Sequence, residues 1–185
     1  ALGNIKNPEA ADVLLSQIQH RDWSTRVVIC KKLVELGHPE AAQPFIDQLS
    51  ADVRETRHRA AIALEEIRSP LAIPALTRAV LNDESDNVRE EAIEALGEFR
   101  RADLIPVFSA ALKDSHRDIR QQAAWALGET KNPKAIAPLV TALKDDNSHV
   151  REQAVESLGD IRTRSVVVPV ITMLEDPKWY VRREG

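Results

Sequence analysis

A leucine returns every 31 or 32 residues along this chain, at Leu2, Leu33, Leu64, Leu96, Leu127 and Leu158. Seven residues ahead of the last five stands an arginine: Arg26, Arg57, Arg89, Arg120 and Arg151. Arg182 continues the series at the same step. Asp83, Asp114, Asp145 and Asp176 each precede an arginine by six residues. Pro8, Pro39, Pro70 and Pro133 each follow a leucine by six. A period of this length is the signature of stacked units, each too small to bury its own apolar face.

The copy from Pro133 to Gly159 shows the unit most fully. Ile136, Leu139, Val140 and Leu143 repeat at helical spacing, and Val150, Ala154, Leu158 and Ile161 do nearly the same. Pro133 stands where a first helix begins, because a missing N–H costs nothing in the first turn. Asp145, Asp146 and Asn147 interrupt the pattern and offer side-chain oxygens to cap a second helix. Each unit therefore reads helix A, turn, helix B, turn. An Asp in the turn favours the positive end of helix B. The Arg early in helix B can reach the Asp of its own or a neighbouring unit, giving a ladder along the stack.

This arrangement of Pro, Asp and Arg resembles HEAT repeats, in which Asp and Arg six residues apart form such a ladder. The ALGE-T phrasing at 126–130 and the AIP-L phrasing look like the bacterial type found in phycobilin-lyase-like proteins. The resemblance covers essentially the whole chain. It implies an all-α, right-handed α-solenoid of about six repeats, with A helices outside and B helices lining a concave face. Residues 1–185 read as one domain. Both ends fall inside repeats, so the sequence reads as a fragment of a longer array. The series has local departures. His20 and Ala51 stand where the Asp belongs, with Asp22 and Asp52 close by. The third unit carries one extra residue, expected in the turn from Asn82 to Asn87 because turns tolerate insertions. The sixth A helix is expected over Val166 to Leu174, and the glycines at 3, 37, 97, 128 and 159 are expected to terminate helices.

Composition narrows the function. A net charge of −4 argues against general attraction to nucleic acid or anionic membrane. There is no apolar run long enough to span a bilayer and no signal-peptide pattern, so a cytoplasmic location is expected. The single cysteine, Cys30, excludes an intrachain disulfide and reads as a buried small residue.

Counting from the ladder Arg at about 100° per residue, positions +1, +2, +5 and +9 of helix B point away from the core. The first unit presents Val27, Val28, Lys31 and Glu35 there, and the second His58, Arg59, Ile62 and Glu66. The third presents Glu90, Glu91, Glu94 and Glu98, the fourth Gln121, Gln122, Trp125 and Glu129, and the fifth Glu152, Gln153, Glu156 and Asp160. The row thus runs from apolar and basic to acidic, with a tryptophan in the acidic part. The expected partner-binding residues are Trp125, Glu90, Glu91, Glu94, Glu98, Gln121, Gln122, Glu129, Glu152 and Glu156. The expected partner is a protein or peptide rich in Lys or Arg, steered by charge. Trp125 has two readings. It is an anchor for a basic side chain by cation–π contact, or it lies over a neighbouring helix and covers the stack. The acid recurring at +9 reads as part of the repeat pattern, solvated or pairing locally. Trp23 and Trp179 share a register that suits packing at the start of helix B.

Enzyme readings fare worse. Diiron hydroxylases built on such repeats need His-Glu ligand pairs, and no histidine here precedes a glutamate. Helical-repeat DNA glycosylases use a basic groove, whereas Trp125 is surrounded by glutamates that repel phosphate. No zinc spacing, phosphate loop or nucleophile motif occurs. The expectation is a non-catalytic scaffold without metal or cofactor. The alternative is a lyase or chaperone-like subunit of the phycobilin type.

Overall fold

The computed structural model describes residues 8–18, 20–162 and 171–184. The described residues form helices and connecting turns, without strands. Five A/B pairs follow in order: α1 (Pro8–Ser16) with α2 (Trp23–Glu35), α3 (Gln43–Gln48) with α4 (Arg54–Ile67), and α5 (Ile73–Asn82) with α6 (Asp86–Gly97). The series continues with α7 (Ile105–Ala111) and α8 (Arg117–Glu129), then α9 (Ile136–Ala142) and α10 (Ser148–Ile161). A sixth B helix, α11 (Trp179–Glu184), follows. The expected sixth A helix falls largely outside the described residues, as do Leu2 and Gly3. Each B helix packs on the next, so the B helices form the spine of an all-α solenoid.

The periodic leucines Leu33, Leu64, Leu96, Leu127 and Leu158 are fully buried. Around them the B helices present Ala60, Ala61, Ala92, Ala95, Ala123, Ala126 and Ala154, all buried. Such small side chains let neighbouring helices approach closely, and an apolar core runs from one pair into the next. Cys30 belongs to it, 1% exposed, and burial pushes its thiol pKa up.

Several local expectations are corrected. Pro8 opens α1 directly, but the later unit prolines do not open their A helices. Pro39, Pro70 and Pro133 open single 3₁₀ turns, and α3, α5 and α9 begin three or four residues later. A second proline then lies in the first turn, as Pro44, Pro74 and Pro138, where helix donors have no intrahelical partner in any case. The extra residue of the third unit is absorbed at the end of α5. That helix runs on to Asn82, with Asp83 N–H donating to Ala79 O, whereas Asp114 and Asp145 close with tighter bonds to Ala111 O and Ala142 O. The interval from Asp83 to Arg89 is unchanged, so the loop after the aspartate is spared.

Gly37, at φ +100°, does end its helix, but Gly97 and Gly128 lie within the last turns of α6 and α8, and Gly159 within α10. The left-handed position is taken instead by Arg68, Arg100, Lys131 and Arg162, at φ 47° to 53°. Gly97 and Gly128 serve close helix approach. A Cβ on Gly97 would run into the Trp125 ring, and one on Gly128 would lie 2.7 Å from Ser157 Cβ.

Candidate functional site: the ladder and the acidic row of the B helices

The ladder runs forward. Arg57, Arg89, Arg120 and Arg151 each hold the aspartate of the following unit. Arg57 Nε and Nη2 donate to Asp83 at 2.7 and 3.0 Å, and Arg89 donates to Asp114 at 2.8 and 3.1 Å. Arg120 pairs likewise with Asp145 at 2.7 and 2.8 Å, and Arg151 with Asp176 at 2.6 and 3.0 Å. The remaining nitrogen, Nη1, donates to backbone carbonyls of the arginine's own turn, such as Asp83 O for Arg89 and Asp145 O for Arg151. Arg182 makes the same contact with Asp176 O. Each aspartate also accepts the backbone N–H two residues on, from Ser85, His116, Asn147 and Lys178. One carboxylate thus fixes its own turn and ties it to the unit before. Burial disfavours the charge on Asp114 and Asp145, but the arginine and backbone N–H bonds outweigh it and hold both pKa values low. On Asp176 the Arg151 bond is the largest influence and acts in the same direction.

The outward row is less exposed than its helical phase suggests. Glu90, Glu91, Glu94, Glu98, Gln121, Gln122, Trp125, Glu129 and Glu152 are partly buried, and Glu156 is exposed. Close approach of the B helices covers the base of each side chain. Val27, placed on this row by phase, is buried at 4% because α4 packs over it, whereas Val28 is 54% exposed. Trp125 lies against the core, its ring over Gly97 of the preceding B helix. Trp23 packs edge-on against Phe45, with ring centroids 5.0 Å apart. The side chain of Trp179 lies outside the described residues.

Among the recurrent acids at +9, Glu35, Glu98 and Glu129 pair locally, Glu35 with Lys32 at 2.7 Å. Glu98 meets Arg68 at 2.6 Å and Glu129 meets Arg100 at 2.9 Å, so a left-handed basic residue ending one B helix reaches the acid of the next. The unit-specific acids differ. Burial raises the pKa of Glu94, with Glu91, Glu90 and Glu98 adding to it. Burial also raises that of Glu90, with Asp118 next in effect. Glu91 lies 3.5 Å from His58.

A further member escapes the sequence reading. Glu65 of α4 is partly buried, and its pKa is raised by burial and then by Glu94, Glu91 and Glu98. It stands at +8, where later units have Gly97, Gly128 and Gly159. Helical phase gave no warning; the signal was a glutamate at a position held by glycine in the three later units. Glu65, Glu90, Glu91, Glu94 and Glu98 therefore form one carboxylate group spanning α4 and α6. Further along, Gln121, His149, Glu152, Gln153, Glu156 and Arg183 line a shallow depression of about 150 Å³. The row is thus a strip of partly desolvated negative charge, with raised carboxylate pKa values where it is densest. Such a strip attracts cations and gains from meeting them.

Among the described residues no group of three His, Cys, Asp or Glu side chains is placed to hold a metal ion. Nor, among them, is any helix long and apolar enough to cross a membrane.

Comparison with known proteins agrees with this architecture. A phycobilisome maturation protein of Synechococcus elongatus is 35% identical over 104 residues, 56% of this chain and 50% of that protein. The chain thus spans about half the length of that relative. Among solved structures, a designed armadillo repeat protein in complex with the peptide (KR)4 superposes with a TM-score of 0.62 at 17% identity, covering 95% of this chain and 96% of the other. Human deoxyhypusine hydroxylase gives a TM-score of 0.55 at 19% identity, covering 98% and 73%. At these identities the solved structures share the fold alone. HEAT repeats match residues 1–65, 42–124, 73–156 and 105–185. With the ladder and the paired helices in place, the chain belongs to the HEAT-repeat family.

Proposed function

We propose that this chain is a non-catalytic scaffold that binds a protein segment rich in Lys or Arg across its B helices. The observation that carries this reading is the carboxylate group of Glu65, Glu90, Glu91, Glu94 and Glu98, in which burial and mutual repulsion raise the pKa values of Glu65, Glu90 and Glu94. A cationic side chain arriving there relieves the repulsion and is attracted in a partly dehydrated setting. Gln121, Gln122, Glu152 and Glu156 extend the strip, and Glu129 borders it. Trp125 is partly buried, with Cζ3 and Cη2 of its ring turned toward Gly97. The designed armadillo protein of similar fold, in complex with the alternating peptide (KR)4, supports a peptide partner of this charge.

The test is the affinity of a labelled (KR)4 peptide, by fluorescence anisotropy, for the wild type and a Glu90→Gln, Glu94→Gln variant. The variant keeps side-chain size while removing charge. We expect salt-sensitive binding that weakens about tenfold or more in the variant. Affinity equal in both proteins would refute the reading.

The second reading rests on the Synechococcus elongatus relative. In it, the same face holds a phycobilisome protein during maturation, as a chaperone-like or lyase-associated subunit. Binding of isolated phycobilisome subunits that a (KR)4 peptide does not displace would favour it over the first.

A further inference from the structure

The ladder is broken once, and the break leaves an arginine in want of a carboxylate. Arg89, Arg120 and Arg151 each hold the aspartate 25 residues on, and Arg57 the one 26 on. The same step from Arg26 reaches Ala51. Arg26 Nε is buried and has no hydrogen-bond partner. Its guanidinium lies 5.2 Å from the centroid of the Trp23 ring, and that of Arg59, from the next unit, lies 4.5 Å from the same ring. Two cations thus share one aromatic surface, and no carboxylate bonds to Arg26 Nε.

The acidic groups nearby do not fill the role. Asp22 caps α2, accepting the Thr25 N–H at 2.6 Å and the Thr25 hydroxyl at 2.7 Å. Asp52, one residue past Ala51, is exposed and forms no ion pair among the described residues. His20, at the aspartate position of the first unit, takes the Asp22 N–H on Nδ1, as the aspartates do two residues on. Ala51 can neither hold Arg26 nor cap its own turn, and α4, with Val53 at its N-cap, has no side-chain cap.

We infer that the ladder position of Ala51 is a binding site for a carboxylate, which Arg26 holds through Nε and Nη2 as Arg120 holds Asp145, with Arg59 adding positive charge. Guanidinium and carboxylate match as a two-bond fork, which makes a carboxylate the fitting ligand over a spherical anion. The carboxylate comes either from a small free acid or from an Asp or Glu side chain of a partner. The inference is independent of the acidic row, since it concerns the opposite charge and other residues, Arg26 and Arg59.

The test follows the Arg26 Nε–H signal by ¹⁵N-edited NMR. Acetate is added first, with chloride at matched ionic strength as control, and then a Glu-rich hexapeptide. We expect acetate, and not chloride, to move the signal. A peptide binding about tenfold tighter than acetate assigns the site to a partner's side chain; equal affinity assigns it to free acids. Two variants guard the result. Ala51→Asp supplies the carboxylate from within, and should raise the melting temperature and abolish the response to acetate. Asp52→Asn should leave the response intact. No acetate response, an equal chloride response, or an acetate response that survives Ala51→Asp would each overturn the inference.

Discussion

Replacing Arg120 by alanine removes five side-chain hydrogen bonds from the turn region. Arg120 donates to Asp145 at 2.7 and 2.8 Å, to Asp146 at 2.7 Å, and to the carbonyls of Asp114 and Ser115 at 3.1 and 3.2 Å. The side chains of Arg120 and Asp145 are 13% and 11% exposed. After the change, Asp145 keeps the Asn147 N–H at 2.8 Å but loses its counter-charge in a mostly dehydrated setting. Breaking a buried pair by removing one partner costs about 3–5 kcal/mol. Residual solvent and the remaining N–H lower this to about 2–4 kcal/mol. For 185 residues the unfolding entropy is about 0.4 kcal/mol per kelvin, so the melting temperature should fall by roughly 5–10 °C. The assay is helical circular dichroism against temperature and urea, with Asp145→Ala and the Arg120→Met, Asp145→Ala double variant alongside. The double variant strands no charge and should lose less than the sum of the single losses. A loss below about 0.5 kcal/mol for Arg120→Ala, typical of a solvated surface pair, would refute a structural ladder.

Three further outcomes are expected. Gly128→Ala should destabilise by about 1–3 kcal/mol, because the new methyl meets Ser157 Cα at 3.0 Å as well as its side chain; urea midpoints of Gly128→Ala and of Gly128→Ala, Ser157→Gly measure the clash and its relief. Stability should rise slightly as pH falls from neutrality toward the ordinary glutamate value of 4.5, because Glu65, Glu90 and Glu94 bind protons more tightly when folded. It should then collapse as pH drops through the folded pKa values of Asp114, Asp145 and Asp176, which lie below the ordinary 3.8; urea midpoints from pH 7 to about 3 would contradict this if they fell monotonically. Glu65→Gln should raise stability at neutral pH and flatten the acidic rise, and an unchanged profile would place Glu65 outside the carboxylate group.

Much of this architecture is legible in one sequence because a repeat states each rule several times. The leucine step located the core of every B helix, and the six-residue interval from Asp to Arg located the ladder. Its direction was not legible, since an arginine six residues from its own aspartate and 25 from the next offers both choices. Packing decides: the backbone carbonyls of the arginine's own turn occupy Nη1, which aims the fork at the following unit. The acidic row was found by helical phase, but its burial was not, because phase describes one helix and exposure depends on how closely the next approaches. Gly97 is the case in point. Read as a helix stop, it is instead the floor beneath Trp125. Glu65 was missed for the same reason, as a side chain that phase turns aside and a neighbouring helix brings into the strip.

The most direct measurement is the footprint of a bound Lys-Arg peptide on the chain, by amide NMR shifts at a salt concentration low enough to saturate binding. The account predicts the largest changes along α4, α6, α8 and α10, centred on Glu65, Glu94 and Trp125, and little change on α3, α5, α7 and α9. Shifts concentrated on the A helices, or spread evenly over the charged surface, would contradict it.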